Sequence, residues 1–320
     1  MKTKNIPIFV SHSGCPHDCI FCNQKKISGV ENPLEISDAK KIIEEALRYT
    51  SSKDKIEIAF FGGSFTGIEK NRQEEYLKLA SNYNVGIRLS TRPDYINDAI
   101  LSILKKYNVT TIELGVQSMV PKVLLMNERG MTVSDTINAV SKIKEYGFFL
   151  GIQMMTSMYG SENEDDIFTA KEIIRLKPDF VRIYPTVVIG DTKLFELYKN
   201  QEYKTKSLSE TVDICSKIYS FFCEADIPII RLGLMSSDEI RPDKVIGAYH
   251  EAFGELVMSK YYYDKITSMI DGKTAKTLII KAPAPLKSKI IGHKKENLLK
   301  FKAKFKNIKY IDSDKLEVEV

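Results

Sequence analysis

Five times along this chain a short apolar run is followed by a polar or glycine-bearing turn and then by a segment of helical periodicity. Residues 4–12 contain the run I-P-I-F-V. After a polar loop at 23–33, Ala39, Ile42, Ile43, Ala46 and Leu47 recur at helical spacing over 39–49, with Ser37 placed as an N-cap. The unit returns as strand 56–61, turn 62–67 and helix 72–83, then as strand 85–89 with helix 95–107. Strand 110–115 pairs with helix 133–146, strand 148–155 with helix 164–176, and a sixth strand occupies 180–184. Short apolar strands alternating with amphipathic helices predict an α/β fold in which helices cover a parallel sheet. Six right-handed units suit a partial (βα)6 TIM-like barrel better than a closed eight-fold one, although a doubly wound sheet has the same pattern. Both place ligands beyond the C-terminal ends of the strands.

The first strand delivers the chain to S-G-C-P-H-D-C-I-F-C-N, residues 13–23, which holds Cys15, Cys19 and Cys22; the other cysteines, Cys215 and Cys223, lie far downstream. Three thiolates so crowded call for a metal. With no fourth cysteine nearby they can hold three irons of a cubane and leave one iron open to a ligand. Zinc completed by His12 or His17, or inert thiols, are the other readings of the spacing. Disulfides are a poor alternative, because the cysteine count is odd and a 320-residue chain has no need of them for stability. The N-terminus has too short an apolar run for a secretory signal, and no apolar run approaches the roughly 18 residues that cross a bilayer. Mean hydropathy of −0.20 is that of an ordinary globular protein. A cytoplasmic location without membrane contact is therefore expected.

The pattern C-x-x-x-C-x-F-C resembles the cluster motif of the radical S-adenosylmethionine (SAM) enzymes, with Phe21 at the family's aromatic position. The resemblance implies a 4Fe-4S cluster held by Cys15, Cys19 and Cys22, whose open iron chelates SAM. It further implies a reduced flavodoxin- or ferredoxin-type electron donor, and reductive cleavage of SAM to methionine and a 5′-deoxyadenosyl radical that abstracts hydrogen from a substrate.

Further stretches extend it. F-F-G-G-S-F-T-G, residues 60–67, puts two glycines directly after the second strand, where backbone can approach a ligand or simply turn. It is similar to the Gly-Gly element of the Elongator catalytic-subunit subfamily, which implies that Gly62, Gly63 and Ser64 hold the amino group of SAM. L-S-T-R-P-D-Y, residues 89–95, has Ser90 where that subfamily carries a SAM-contacting glutamate. I-E-L-G-V-Q-S, residues 112–118, followed by N-E-R-G, implies roles for Gln117 and Arg129 with the ribose and carboxylate of SAM. In G-I-Q-M-M-T-S-M-Y-G, residues 151–160, Gln153 and the backbone of Met155 are implied adenosine contacts, while the methionines read on their own as packing. R-I-Y-P-T-V-V-I-G-D-T-K-L-F-E-L-Y, residues 182–198, looks like the same subfamily, with Tyr184 facing the substrate or packed. Cys215 and Cys223 on a helix over 208–225 read as buried thiols, and 227–232 as a further strand.

The net charge of +5 is unevenly spread, for residues 273–310 hold twelve lysines against Glu296 alone. Residues 274–320 read as strand 277–281, helix 286–291, turn 292–295, helix 296–305 and strand 308–311. The piece K-I-I-G-H-K-K-E-N-L-L-K-F resembles the helix-loop-helix of KH domains, with Lys295 where the second glycine of the nucleic-acid clamp belongs. This divides the chain into a core with post-barrel extension (1–256), a helical connection (257–273) and a basic, KH-like α+β module (274–320) that implies contact with RNA. No segment of residues 1–320 is expected to form an acetyltransferase domain like the subfamily's. The resemblance thus points to a radical SAM enzyme modifying a tRNA or rRNA base; a small, tetrapyrrole-like substrate and a non-enzymatic zinc and RNA module are the alternatives.

Overall fold

In the computed structural model residues 3–10, 15, 19–23, 34–51, 55–236, 240–270 and 275–320 are described. Seven strands form one parallel sheet: β1 (Thr3–Phe9), β2 (Lys55–Phe61), β3 (Gly86–Thr91), β4 (Val109–Gln117), β5 (Phe149–Thr156), β6 (Phe180–Pro185) and β8 (Ile229–Leu232). They follow one another in that order across the sheet, with β1 and β8 at its two edges. A doubly wound sheet reverses direction at a switch point; this one never does, so it curls into a half-barrel. Six of these answer to the expected barrel strands, and β8 answers to the further strand expected over 227–232; it is reached through a long helix over Leu208–Glu224.

Alternation within each strand explains why the sheet curls around a polar interior. Ile58, Phe60, Ile87, Leu89, Ile112, Leu114, Leu150, Ile152, Val181 and Ile183 belong to the main apolar core with the outer helices. Their neighbours Glu57, Arg88, Glu113 and Arg182 point to the other, concave face, because side chains alternate with period two. Buried parallel strands are usually apolar on both faces, so a charged concave face is itself a sign of use.

Several expected boundaries shift for local reasons. The first helix, α1 (Ile36–Arg48), begins before Ser37, with Glu35 at the N-cap and no side-chain cap bond. The helix expected over 95–107 is divided: Pro93 opens a 3-10 turn, Pro93–Tyr95, and Asn97 then caps α3 (Asp98–Lys106) by accepting from the Ile100 N–H. Between them in sequence, α2 (Lys70–Ser81) follows β2. A six-residue helix, α4 (Pro121–Met126), and a two-stranded ribbon pairing β7 (Val187–Ile189) with β9 (Val245–Gly247) were not expected. Cys215 is buried as anticipated, whereas Cys223 is exposed near the helix end.

A 17-residue helix, Phe253–Met269, leads into the C-terminal module. There β10 (Thr277–Ala282) pairs in parallel with β11 (Asn307–Asp312) and antiparallel with β12 (Glu317–Glu319). Ile266 and Ile270 of the long helix share one apolar cluster with Leu278, Ile280, Ile290 and Phe301 of the module. The turn between the module's helices faces that long helix: the His293 N–H donates to Ser259 Oγ at 3.3 Å and Asn297 Nδ2 to Ser259 O at 2.8 Å. His250 meets His293 edge to face, ring centroids 5.5 Å apart. Lys294 and Lys295 stay exposed, both with positive φ. No helix among the described residues is long and apolar enough to cross a membrane.

Candidate active site

The cysteine loop leaves β1 at the C-terminal rim of the sheet, where Val10 N–H donates to Phe61 O at 2.8 Å. Its second half is anchored by packing. Ile20 and Phe21 are buried against Val123, Met158, Val188 and Leu194, with Met155 and Cys22 at the margin of the same cluster. Backbone bonds fix the loop to its neighbours: Ile20 N–H donates to Asn127 O, Leu194 N–H to Ile20 O, and Cys22 N–H to Cys19 O. Cys19 is thereby held buried, while Cys15 and Cys22 are half-buried.

Two guanidinium groups converge on Cys19. Arg129 Nη1 lies 3.0 Å from Cys19 Sγ, and Arg92 Nη1 4.0 Å from it. Arg129 also donates to Gly115 O, and its own carbonyl accepts from Arg92. Arg92 is oriented by Asp94, with Nε 2.9 Å from Oδ1. Burial pushes the Cys15 thiol above its ordinary pKa; the Ser64 N–H and the two arginines pull it back. Positive groups and backbone N–H donors of this kind favour thiolate over thiol.

The glycine turn packs directly beside this cluster. Gly62 has φ +92°, a conformation that favours glycine. Gly63 continues the turn. Ser64 Oγ lies 2.9 Å from Thr91 Oγ1 and accepts from Arg92 N–H, and Thr66 Oγ1 lies 2.6 Å from the same threonine. These hydroxyls lock the end of β2 to the end of β3. Gln117 terminates β4 after a register shift, with φ +68°. Its Oε1 and the Nε of Arg129 are buried with no hydrogen-bond partner. Buried polar groups are nearly always satisfied, so two such atoms, one on the arginine that meets Cys19 and the other on a side chain that flanks Gly115 with it, fit a polar ligand.

Ser90 and Gln153 sit apart from that rim group, lower in the barrel. Gln153 Nε2 donates to Glu113 Oε2 at 3.1 Å and lies 3.5 Å from Ser90 Oγ. Glu113, unread as a site residue in the sequence, is the centre of a buried ionic chain. Arg88 bridges Glu57 and Glu113 at 2.6 Å to each, and Arg182 pairs with Glu113, its Nε 2.7 Å from Oε2 and its Nη2 donating to Oε1 at 3.1 Å. Ser90 is paired in register with Glu113, so a carboxylate stands one strand over from the position where the resembling subfamily has its glutamate. The signal was present in the strands as I-E-I, I-R-L, I-E-L and V-R-I, each a lone charge between apolar neighbours. A cleft of about 460 Å3 lined by Thr50, Lys55, Asn84 and Gly86 opens at the opposite, N-terminal rim.

Among the described residues no three His, Cys, Asp or Glu side chains converge to chelate a single ion. His12 and His17, the ligands of the zinc alternative, lie outside the described residues. Three cysteine sulfurs in a setting of arginines and backbone donors are the soft, anionic donor set that an iron-sulfur cluster takes. The residues present therefore fit a cluster with a polar ligand beside it.

The family model described as the radical SAM superfamily matches residues 9–173, and that of the radical SAM C-terminal domain matches residues 178–263. Over 256 residues the chain is 30% identical to the tRNA uridine(34) acetyltransferase of Methanocaldococcus jannaschii, covering 66% of this chain and 47% of that protein, about half its length. The structure of Methanocaldococcus infernus Elp3 with an N-terminal deletion matches with a TM-score of 0.65 at 25% identity, over 82% of this chain and 63% of that one. Coproporphyrinogen III oxidase of Escherichia coli shares the fold, with a TM-score of 0.52 at 16% identity over 82% of this chain and 58% of that one. A family match that runs from the end of the first strand to the helix after the fifth, across every residue of the rim site, shows that the chain belongs to the radical SAM superfamily.

Proposed function

We propose that this radical SAM enzyme acts on a base in RNA, tRNA being the favoured class. The observation that carries the reading is the 30% identity over 256 residues to a tRNA uridine(34) acetyltransferase. The module supports it: Lys300, Lys302, Lys304, Lys306 and Lys309 are all exposed on its second helix, the turn after it and the strand that follows, a surface that suits phosphates. Nucleic acid would meet this lysine face rather than the turn 292–295, whose His293 N–H is engaged by Ser259 Oγ.

When bound, the 4Fe-4S cluster and SAM supply a 5′-deoxyadenosyl radical for hydrogen abstraction. In this reading Cys15, Cys19 and Cys22 are the cluster ligands. The backbone of Gly62, Gly63 and Ser64 receives the amino group of SAM, and Gln117 and Arg129 its ribose and carboxylate. Phe21, Ser90, Gln153 and Met155 line the adenosine side, and the buried apolar cluster behind Phe21 keeps water from the loop.

Incubating the anaerobically reconstituted protein with SAM, reductant and total RNA, followed by nucleoside mass spectrometry, tests the reading. A new nucleoside that depends on Cys19 is expected. Replacing Lys302, Lys304 and Lys306 with alanine should flatten the salt dependence of RNA binding by about 0.7–0.9 in log-log slope for each phosphate no longer neutralised. A small-molecule substrate is the second reading, favoured by the enclosed, charged concave face. Failure to bind RNA even at low salt selects it.

A further inference from the structure

Among the described residues, the guanidiniums and carboxylates on the concave face of the sheet do not balance. Glu57, Arg88, Glu113 and Arg182 form a continuous chain in which each charge meets its opposite at 2.6–2.7 Å. Arg231 on β8 adds a third guanidinium against two carboxylates. It is paired in register with Arg182, so it projects to the same face. Its Nε donates to Gly233 O at 3.1 Å, and among the described residues it meets no carboxylate.

Two arginines side by side on adjacent strands repel, and pairs of like charge directly across a sheet are destabilising. Arg182 is neutralised by Glu113, but Glu113 is already shared with Arg88. The excess positive charge therefore rests at Arg231, on the open edge of the half-barrel. Tyr184 stands on the same face two residues beyond Arg182. Its phenol is close enough to Arg182 and Arg231 for both charges to act on it. A phenol O–H is a donor that an anion's oxygen can accept from. Arg231 and Tyr184 thus present donors, and no acceptor charge, to the chamber.

This edge lies across the sheet from β1 and the cysteine loop, so an anion here belongs to the substrate rather than to SAM. We propose that Arg231 and Tyr184, backed by Arg182, form an oxyanion subsite that takes a phosphate or carboxylate group of the substrate. The subsite rests on the concave face being the substrate chamber of a radical SAM enzyme. It does not depend on the substrate being RNA.

The test uses cluster-loaded protein with SAM bound, titrated calorimetrically under anaerobic conditions with two pairs of probes. Uridine 5′-monophosphate is compared with uridine, and propionate with propionamide. In at least one pair the anion should bind about tenfold or more tighter than its neutral partner, a preference that Arg231→Met abolishes and Arg231→Lys keeps in part. Should Arg231→Met fail to load iron, Arg231→Gln carries the same comparison. Preference for the phosphate supports both the subsite and the RNA reading. Preference for propionate alone keeps the subsite and overturns the RNA reading in favour of a small carboxylate. No preference in either pair, or one that survives loss of the Arg231 charge, overturns the subsite.

Discussion

Arg129 holds its Nη1 3.0 Å from the thiol of Cys19 although the two residues are 110 positions apart in the chain. The contact joins the cysteine loop after the first strand to the loop after the fourth, and a second arginine, Arg92, tightens it by donating to the Arg129 carbonyl. The site is therefore assembled from the ends of several strands, as in other barrels that place their chemistry on the C-terminal rim.

Replacing Arg129 with lysine removes a planar fork that serves Cys19 and Gly115 O together, which one ammonium cannot reproduce. Removing buried hydrogen bonds of this kind costs about 1–3 kcal/mol, so SAM affinity should fall roughly 5–150-fold with iron content retained. Equilibrium SAM binding to the reconstituted variant measures this. Unchanged affinity removes Arg129 from the SAM site.

The ionic chain inside the barrel makes a separate prediction about stability. Glu113 is fully buried and serves both Arg88 and Arg182. Glu113→Gln leaves the buried Arg182 without its charge partner and Arg88 with Glu57 alone, and should cost about 3–5 kcal/mol. A urea titration at constant slope reads the loss, and a change as small as that of an exposed ion pair, under about 1 kcal/mol, contradicts the buried network.

Gly151 on β5 faces the same interior, and a methyl group there would stand 2.3 Å from the Phe180 ring and 3.0 Å from Glu113 Cγ. That ring lies under Arg88, 4.7 Å from its guanidinium carbon to the centroid, so it cannot yield freely. Gly151→Ala should destabilise by about 1–3 kcal/mol, and Phe180→Leu in the same chain should restore part of it. Thermal unfolding of the single and double variants decides whether the crowding is real.

Asp166 gives a pH dependence of defined sign. Burial raises its carboxyl from 3.8 to about 6, against hydrogen bonds from Ser161 Oγ at 2.6 Å and Ser157 N–H at 2.9 Å. Between these values the folded chain binds a proton that the unfolded chain has released, so this group's contribution falls as pH rises from about 4 to 6 and stays lost above. The full loss is at most about 3 kcal/mol. Asp166→Asn should remove that part of the slope when urea midpoints of the cluster-free protein are compared at pH 5 and pH 7.5.

How much of this was legible in the chain differs by element. The strand and helix alternation was, because apolar runs and helical periodicity report packing directly, and it implied a parallel sheet and the rim on which the site lies, with a partial barrel favoured over a doubly wound sheet of the same pattern. Glu57, Arg88, Glu113 and Arg182 were passed over, since a single charge within an apolar strand leaves the run apolar on average; only the period of two reveals that all four share a face. The pairing of Val187–Ile189 with Val245–Gly247 was out of reach, because nothing local in either segment names its partner. The packing of the turn 292–295 on Ser259 was hidden for the same reason.

The cysteine loop as the seat of radical chemistry is tested most directly by iron and sulfide analysis together with SAM cleavage in anaerobically reconstituted protein under dithionite. About four irons and four sulfides per chain, with 5′-deoxyadenosine and methionine formed and both abolished in Cys19→Ala, is the predicted result. Zinc without iron or sulfide, or 5′-deoxyadenosine formed undiminished by Cys19→Ala, would contradict it.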